Sequence, residues 1–437
     1  MATVYAVLLG PLQAAWWQTT DEAEQEQGNA LIDNQQSPIK VNVSGASGEL
    51  ADNIKAYMPS LRSLDCNSDK DSLERFIDAS ADNLLEGAEA MGYFSARFNT
   101  TASRQGDCWV LNIAVEPGEP IRVSQIKIQV SGEGESLQTF RKLEADPPYR
   151  PGDVLISGKY EDFKSSLTSA ANRLGFFDAE FETHRIAVSL KRGTADIDLH
   201  FKTGRRYEIG QVSVEQDVLD QRYINRYIRL EEGQIYNSDD LLNQRRILEG
   251  SGYYRDVSVS SRFNDAENGQ VPVDIKADRR KRYTYTVNAG YATDTSIRVE
   301  GGMEAHWVNR RGHKLDAKAR LSQNDPALGF SYKVPLWQPE HEFASVSGNW
   351  SLSDNDDIKG EKLELAFDYN RRTDNNWQQT AFISFLNEKT QIQNNPAKTS
   401  QLTLIGARVN KTERDDTLFP TKGWRVQAEV KGATTVC

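Results

Sequence analysis

A phrase of one glycine, two aromatic residues and an alternating segment occurs three times in the first two thirds of the chain. It reads MGYFSARF, then LGFFDAEF, then SGYYRDVSV. The three glycines, Gly92, Gly175 and Gly252, stand 83 and 77 residues apart. A period of about 80 residues is the length of a small domain, so the chain is predicted to carry three copies of one domain.

Each copy has the same order of predicted elements. Apolar residues at three- and four-residue steps precede each glycine, as from Leu73 and Phe76 in the first copy, and indicate an amphipathic helix. Two alternating segments follow each glycine, and a strand and a shorter helix open each copy. The order β-α-α-β-β, three times, predicts α+β domains over residues 38–119, 120–204 and 205–280.

The three glycines are predicted to be structural junctions. A long helix must end before each of them, and glycine takes the left-handed conformation after a helix without the penalty of a Cβ. The aromatic pairs that follow are interpreted as core side chains rather than as a platform for bases or sugars. Ser157 and Ser238 are predicted to cap the long helices of the second and third copies.

From Arg282 onward the apolar pattern has a period of two residues. One face of the first segment carries Tyr283, Tyr285, Val287, Ala289 and Tyr291. Later segments such as KLDAKARL set an apolar face against a charged one, and aromatic residues stand at the strand ends. This combination favours an all-β transmembrane barrel, apolar toward lipid, over a soluble sandwich. About eight antiparallel strands are predicted over residues 281–437.

The formal net charge of −11 argues against a nucleic-acid partner, because a duplex-binding protein needs a basic face. The basic run DRRKR, residues 278–282, is interpreted as a solvated linker. The lone GxG of SGEGES, residues 131–136, is too short a pattern to predict phosphate binding. No cofactor is therefore expected.

The N-terminal segment reads as a leader that lacks one part. Residues 1–17 hold a short apolar stretch with no Lys or Arg before it, which we interpret as the remnant of a signal peptide. A wrongly assigned or trimmed start would explain the missing basic residues. Residues 18–37 are polar and acidic, and they are predicted to be a disordered linker.

The chain has three cysteines, Cys66, Cys108 and Cys437. None lies in a CxxC pattern, so their spacing predicts no metal site. Cys66 and Cys108 fall within the first copy, and a disulfide between them is predicted if the compartment is oxidising. Two buried free thiols are the alternative.

The histidines carry no recognisable catalytic pattern, because none lies in a GxSxG or HExxH context. They are therefore interpreted as structural, and no catalytic residues and no enzymatic activity are expected. An outer-membrane hydrolase, the alternative, would need a nucleophile with a base within reach. The five histidines are His184, His200, His306, His313 and His341.

Tandem β-α-α-β-β domains ahead of a period-two barrel resemble the Omp85 superfamily, in which POTRA domains precede the barrel. The glycine–aromatic junctions carry the resemblance, together with EPGEPIRVSQIKI, KTGRRYEIGQVSV and the signature-like RDDTLFPTKGWRVQAEV. Three copies are similar to the outer-membrane subunit of the translocation and assembly module (TamA-like). Barrels of this superfamily have sixteen strands, so residues 281–437 are expected to form the first half of a C-terminally truncated barrel.

The resemblance implies a non-enzymatic factor that assists insertion of outer-membrane proteins, autotransporters among them, in a Gram-negative bacterium. The barrel would lie in the outer membrane and the POTRA-like domains in the periplasm. Implied partners are an inner-membrane-anchored TamB-like protein, nascent outer-membrane proteins and outer-membrane lipid, with one copy of the chain per complex. A two-partner-secretion-type transporter or a barrel-assembly insertase is the alternative. A passive pore and a soluble periplasmic scaffold also remain open.

The same resemblance implies two functional surfaces. The first barrel strand, with Tyr283, Tyr285, Val287, Ala289 and Tyr291, would be one side of a lateral gate. Exposed sheet edges of the POTRA-like domains would accept an incoming strand by β-augmentation. The predicted partner-binding edge in the first copy comprises Ala96, Phe98 and Thr100.

Overall fold

A computed structural model describes most of the chain. The described residues are 3–6, 39–61, 64–292, 296–354, 358–393, 395–416 and 418–435. The predicted linker at 18–37 lies outside them, as does the predicted signal-peptide remnant except for a short strand, β1 (Thr3–Ala6). No helix in the described part combines the length and the apolar character needed to cross a bilayer.

The chain divides into two compact units, which are treated separately below. The unit with the first two repeat domains comprises Trp16–Tyr207 and Ile235–Ser238. The unit with most of the third domain and the large sheet comprises Met1–Ala15, Glu208–Gln234 and Asp239–Cys437.

The first domain has the predicted order β-α-α-β-β. One face of its long helix is buried: Leu84 and Ala88 pack with Ile54 and Ile113, and Leu73 packs with Leu111. Its three-stranded sheet has a central strand flanked by one parallel and one antiparallel neighbour. Its elements are β2 (Lys40–Ser44), α1 (Glu49–Tyr57), α2 (Lys70–Ala90), β3 (Arg97–Gln105) and β4 (Cys108–Glu116), with sheet order β2-β4-β3.

The second domain repeats this arrangement around an aromatic core. Phe140 packs edge to face on Phe176, with ring centroids 5.7 Å apart, and also contacts Phe201. Each of these three rings is at most 1% exposed. The elements are β5 (Arg122–Ser131), α3 (Gln138–Ala145), α4 (Ser157–Leu174), β6 (Glu180–Ser189) and β7 (Thr194–Lys202), with sheet order β5-β7-β6.

The third domain has the same order of elements, but its first helix has only four residues. That helix ends at Ile224, and the backbone beyond it is hydrogen-bonded to the buried side-chain amide of Gln244. Gln244 accepts from the amide of Arg229 at 2.7 Å and donates to the carbonyl of Tyr227 at 2.9 Å. The elements are β8 (Glu208–Glu215), α5 (Gln221–Ile224), α6 (Ser238–Gly250), β9 (Tyr254–Ser261) and β10 (Gln270–Arg279), with sheet order β8-β10-β9.

The sequence offers Ser68 or Asp69 as the cap of the first long helix, and the structure uses Asp69, whereas the predicted caps of the other two long helices lie inside them. Asp69 caps α2 by accepting a hydrogen bond from the amide of Ser72 at 2.6 Å. Ser157 was predicted to cap α4, but it is the first residue inside that helix, and Ile156 holds the cap position without a side-chain bond. Ser238 likewise is the first residue of α6.

All three junction glycines have the left-handed backbone that was predicted for them. Their φ angles are +90° for Gly92, +85° for Gly175 and +76° for Gly252. Gly92 has a second role, because a Cβ there would lie 2.6 Å from the carbonyl oxygen of Leu155 in the second domain. Its own carbonyl accepts a hydrogen bond from the amide of Ile121 at 2.8 Å. The first junction is therefore also the contact between two domains.

The aromatic residues after Gly92 confirm this role of the phrase. Tyr93 packs on the core of the first domain, whereas Phe94 packs on the core of the second. The sequence pattern predicts both as core side chains and does not distinguish the two domains. One aromatic residue of the pair thus fills the core of its own domain, and the next covers the core of the domain that follows.

Cys66 and Cys108 are joined by a disulfide within the first domain, 42 residues apart along the chain. The bridge ties the loop before α2 to the start of β4. Closing a loop of this length stabilises a folded domain by roughly 4 kcal/mol in the chain-entropy description.

The last third of the chain forms one antiparallel sheet. Nine consecutive strands pair in order, and the short strand β1 pairs with the last of them. The edges of this sheet, β1 and the first of the nine, do not pair with each other among the described residues, so the sheet is open. The nine strands are β11 (Tyr283–Ala292), β12 (Ser296–Ala305), β13 (Lys314–Ser322), β14 (Ala327–Pro335), β15 (Glu342–Asp354), β16 (Ile358–Arg372), β17 (Gln378–Ile392), β18 (Lys398–Arg414) and β19 (Gly423–Thr435).

We expect Gly92→Ala to loosen the first domain from the second. The methyl group would meet the carbonyl of Leu155, and the residue would keep a positive φ, so the cost is roughly 2–4 kcal/mol. Gly106→Ala is the matched control, because Gly106 also has a positive φ but faces open space. Limited proteolysis near residue 120 should accelerate for Gly92→Ala alone, and equal rates for both variants would contradict the assignment.

Candidate strand-docking edges and the domain–sheet junction

One edge of the large sheet is β11, the strand predicted to be one side of a gate. Among the described residues it pairs only with β12. The five predicted side chains lie on one face, and four of them are strongly exposed: Tyr283 43%, Tyr285 69%, Val287 77% and Tyr291 73%. The strand therefore offers a row of unpaired main-chain groups beside an apolar face.

The apolar face continues across the other strands. Tyr285 pairs with Met303 and Val287 pairs with Gly301. The apolar face of β11 therefore continues onto the same face of β12. Leu365 and Phe367 on β16 are 41% and 47% exposed on this face. A soluble sheet would bury such a face, whereas a lipid-facing sheet exposes it.

The opposite face is polar and carries ion pairs between neighbouring strands. Arg320 on β13 lies 2.7 Å from Glu300 on β12 and 2.8 Å from Asp325. Arg408 on β18 lies 2.8 Å from Glu429 on β19. The side chains that face away from the apolar surface therefore form a charged, hydrogen-bonded lining.

The predicted partner-binding edge in the first domain lies on β3, an outer strand of its sheet. Ala96 and Phe98 pack on the first core, with Ala96 just before the strand. Thr100 shares the half-buried face of the strand, whereas Arg97 and Asn99 are exposed. The free feature of this edge is thus its main chain, because two of the three predicted side chains are engaged in the core.

The third domain contacts the turn between β12 and β13. The amide of Asp220 donates to the carbonyl of Arg310 at 3.0 Å, and the hydroxyl of Tyr253 donates to the carbonyl of Gly312 at 2.6 Å. The ammonium of Lys314 donates to the carbonyl of Ser251. It also lies 4.7 Å from the ring centroid of Tyr253, within cation–π distance.

The third domain also contacts the turn between β14 and β15. Arg226 donates to the carbonyl of Leu336 at 3.0 Å, and its guanidinium lies 5.2 Å from the ring centroid of Trp337. Arg229 lies 2.7 Å from a carboxylate oxygen of Glu340. Together with the contacts to the preceding turn, these contacts form the domain–sheet junction, called the junction below.

Three tyrosines build the third domain's side of the junction. The rings of Tyr227 and Tyr253 meet at 90°, with their hydroxyls 3.2 Å apart. Tyr254 bonds to the side chain of Gln216 at 3.1 Å. Burial raises the pKa of Tyr253 to about 12 and also raises the pKa of Tyr227. The phenols therefore stay neutral and act as hydrogen-bonding groups over the physiological range.

The basic run at residues 278–282 was interpreted as a solvated linker, and the structure corrects part of this interpretation. The amide of Arg280 donates to the carbonyl of Tyr253 at 2.9 Å. Arg282 is exposed but donates to the carbonyl of Trp307 at 3.1 Å, and its own carbonyl accepts from the amide of His306. The linker is thus bonded both to the third domain and to the turn between β12 and β13.

The signature-like segment before β19 forms a turn organised by two carboxylates. Asp415 accepts from the side chain and the amide of Thr421 and from the amide of Lys422, and Asp416 accepts from the amide of Phe419. These bonds favour the ionised form and lower the pKa of Asp415 to about 2. The turn keeps its acceptors at neutral pH and loses them only as the pH falls toward that value.

One histidine has a nucleophile within reach. Ser131 Oγ lies 2.9 Å from Nε2 of His200, and Nδ1 of His200 lies 3.0 Å from Glu182. The backbone amides of Glu133 and Gly134 already donate to a neighbouring loop, so they are not available to stabilise an oxyanion. This chain of hydrogen bonds across the sheet gives the hydrolase alternative a starting point.

Among the other histidines, His306 also contacts both a hydroxyl and a carboxylate, because its Nδ1 lies 3.2 Å from Glu304. His306 lies 2.9 Å from Thr284 Oγ1, and His313 lies 2.7 Å from the hydroxyl of Tyr332. His184 stacks edge-on against Phe181. Within the described ranges, no group of three or more His, Cys, Asp or Glu side chains is placed to hold a metal ion.

Two domains match known family models. Residues 40–117 match the family described as POTRA domain TamA domain 1, and residues 207–280 match POTRA, described as surface antigen variable number repeat. A curated relative, outer membrane protein assembly factor BamA of Neorickettsia risticii (strain Illinois), is 20% identical over 224 residues. That match covers 51% of this chain and 29% of the relative, so the chain spans under a third of the relative's length.

Two solved structures overlap with much of the chain, and the first of them shares its fold. BamA from Haemophilus ducreyi lacking POTRA domains 1–3 overlaps with a TM-score of 0.59 at 15% identity, covering 72% of this chain and 64% of that chain. CdiB from Escherichia coli overlaps with a TM-score of 0.42 at 14% identity, covering 90% of this chain and 69% of that chain. The first overlap confirms the predicted fold class, with POTRA-like domains ahead of an antiparallel sheet that is open here.

We expect Lys314→Met to weaken the junction. Methionine keeps the bulk of the stem but removes the hydrogen bond to Ser251 and the cation–π contact with Tyr253, at a cost of roughly 1–3 kcal/mol. Amide hydrogen exchange of residues 309–313 should become faster. Lys318→Met is the matched control, because Lys318 lies on the same strand and face but pairs only with Asp316. Unchanged exchange in both variants would contradict the assignment.

Proposed function

We propose that this POTRA-bearing homologue of Omp85-superfamily proteins belongs to an outer-membrane factor that assists the assembly or translocation of outer-membrane proteins. The observation that carries the proposal is the free edge of β11, which stands at the border of an open sheet whose outer face is apolar. The printed name of the Neorickettsia relative, an outer membrane protein assembly factor, supports the same function.

The apolar face of the sheet supports a place in the outer membrane. Its exposed side chains would face lipid, and the charged lining would face the lumen. The POTRA domains precede the sheet in the chain and would lie in the periplasm. A soluble periplasmic scaffold, the opposing possibility, would have to cover this face with protein.

The free main-chain groups of β11 support a role in accepting client strands. A nascent outer-membrane strand that paired with β11 would satisfy these groups and extend the sheet without a demand on client sequence. The outer strand β3 of the first domain offers a similar main-chain edge. We infer that clients or partners dock there before they reach β11.

The proposal extends to a particular assembly system, its partner protein and its clients. A translocation and assembly module subunit, with a TamB-like inner-membrane-anchored partner and autotransporter clients, is the form we favour, because the first domain matches a TamA-type POTRA model. Outer-membrane lipid and a single copy of the chain per complex complete it. A barrel-assembly insertase and a two-partner-secretion-type transporter are the alternatives, and a non-enzymatic role is proposed for all of them.

The remaining classes predict different measurements. A passive pore would conduct ions in single-channel recordings without any client. A hydrolase acting through Ser131 and His200 would release fatty acid from phospholipid above the lipid-only background, and loss of that release in Ser131→Ala would identify it. An assembly factor would show neither activity.

We expect Leu365→Arg to block membrane assembly of the chain. Leu365 lies midway along β16 on the apolar face, where a charged side chain costs about 2–4 kcal/mol in lipid. Ala366→Arg is the matched control, because the next residue points to the polar face. Leu365→Arg alone should lose its recovery in the membrane fraction and its heat-modifiable gel mobility. A wild-type chain that stays soluble and does not shift would contradict a membrane sheet.

We expect a photo-crosslinking residue at Val287 on β11 to capture nascent outer-membrane proteins. A strand that pairs with the free edge must pass within crosslinking reach of this side chain. Phe367 is the matched control, because it is exposed on the same face but lies on β16, which is paired on both sides. Equal capture at both positions would indicate non-specific contact and would contradict docking at the edge.

A further inference from the structure

A cavity of about 680 Å³ lies between α6 of the third domain and the bases of the strands of the large sheet. Its volume falls within the range of about 300–1,000 Å³ that is typical of ligand sites. The walls combine cationic and apolar side chains. They include Arg246, Ile247, Lys314, Lys333, Phe343 and Arg372.

The cavity has an excess of positive charge. Four of its lining side chains are cationic, and within the described part of the chain none of the four has a carboxylate within ion-pair distance. One of its two carboxylates pairs with a cation outside the lining, and the other contacts a histidine. Glu340 lies 2.7 Å from Arg229, and Glu304 lies 3.2 Å from Nδ1 of His306. Among the described residues, the four cations of the lining therefore outnumber its two carboxylates.

One further group in the wall points to a missing partner. Nδ1 of His341 is buried and has no hydrogen-bond partner among the described residues. A buried polar atom without a partner costs free energy, which a bound ligand can recover. A ring N–H at this position would donate to an anion, as Lys333 and Arg246 would.

The position of the cavity distinguishes between kinds of anion. Lys314 lies on the polar face of β13, and its neighbour Leu315 lies on the apolar face, so the cavity opens on the side away from lipid. A phospholipid headgroup held there would have its acyl chains on the polar face, which is unfavourable. A carboxylate-bearing polypeptide could instead place apolar side chains against Phe343 and Ile247.

We propose that this cavity binds carboxylate groups of an extended polypeptide, and thereby holds an acidic client segment at the base of the sheet. The inference rests on the proposed function, because it names the chemistry of the client at a second site. The contact would combine charge-assisted hydrogen bonds from Arg246 and Lys333 with apolar packing. It lies apart from the free edge of β11, where main-chain pairing would hold the client.

The test measures binding of a fluorescent peptide to the full chain in detergent micelles by anisotropy. The peptide alternates apolar residues with glutamate, and a second peptide carries glutamine in place of each glutamate. The glutamate peptide should bind more tightly. Arg246→Gln and Lys333→Gln should each weaken it roughly tenfold, the worth of one charge-assisted hydrogen bond, and should leave the glutamine peptide unchanged.

Arg245→Gln is the matched control, because Arg245 lies beside Arg246 on α6 but pairs with Glu249 outside the cavity. Equal binding of both peptides, or equal loss in all three variants, would overturn the proposal. Binding of phosphatidylglycerol vesicles that depends on Arg246 and Lys333, without binding of the glutamate peptide, would overturn it in favour of a lipid headgroup. Client crosslinking at Val287 that persists in these variants would leave the proposed function intact, so the two failures are distinguishable.

Discussion

Main-chain hydrogen bonding between neighbouring strands is the constraint on which the rest of this structure depends. In a lipid-facing sheet, each unpaired N–H or C=O group costs several kcal/mol because no water is present to replace the partner. Among the described residues, β12 to β18 have partners on both sides, β19 has a second partner only where the four-residue β1 pairs with it, and β11 and β1 each have one partner. The need for pairing therefore lies at the two edges of the sheet, and the function proposed above rests on the β11 edge.

The three small domains meet the same constraint in a different way. Each sheet has three strands, so its two outer strands always leave main-chain groups unpaired toward water. Water satisfies these groups at little cost until a strand replaces it, which makes binding there reversible. The POTRA edges suit transient contact, whereas the edge of a membrane sheet has no such alternative partner.

Local patterns in the sequence were sufficient to predict the elements and their order. A helical period before each glycine and a period of two after Arg282 predicted three β-α-α-β-β domains and an antiparallel sheet, because each pattern reflects burial of one face. The positive φ of Gly92 was likewise predictable, because only the end of a helix is needed to argue it. What the pattern does not contain is the neighbour, Leu155, that makes the same glycine a contact between domains.

The parts that could not be predicted depend on contacts between distant segments. The early end of α5 depends on the amide of Gln244, which reaches the backbone of Tyr227 and Arg229. The junction depends on Lys314 meeting Ser251, and the two residues are far apart in sequence. A lysine in an alternating strand carries no local sign of such a partner, so the cavity and its charge were also invisible in the sequence.

The junction decides how the third domain and the free edge are related mechanically. Three residues, 280–282, separate the end of β10 from the start of β11, and they are bonded to Tyr253 on one side and to the turn before β13 on the other. The base of the edge strand is thus fixed to the third domain, while its far end has only β12 as a neighbour. A strand held at its base and paired on one side along its length can exchange partners from the far end first. The bond between Tyr253 and Gly312 also joins the third domain to the turn before β13, so a displacement of that domain would strain the base of the sheet near the strand where clients would pair.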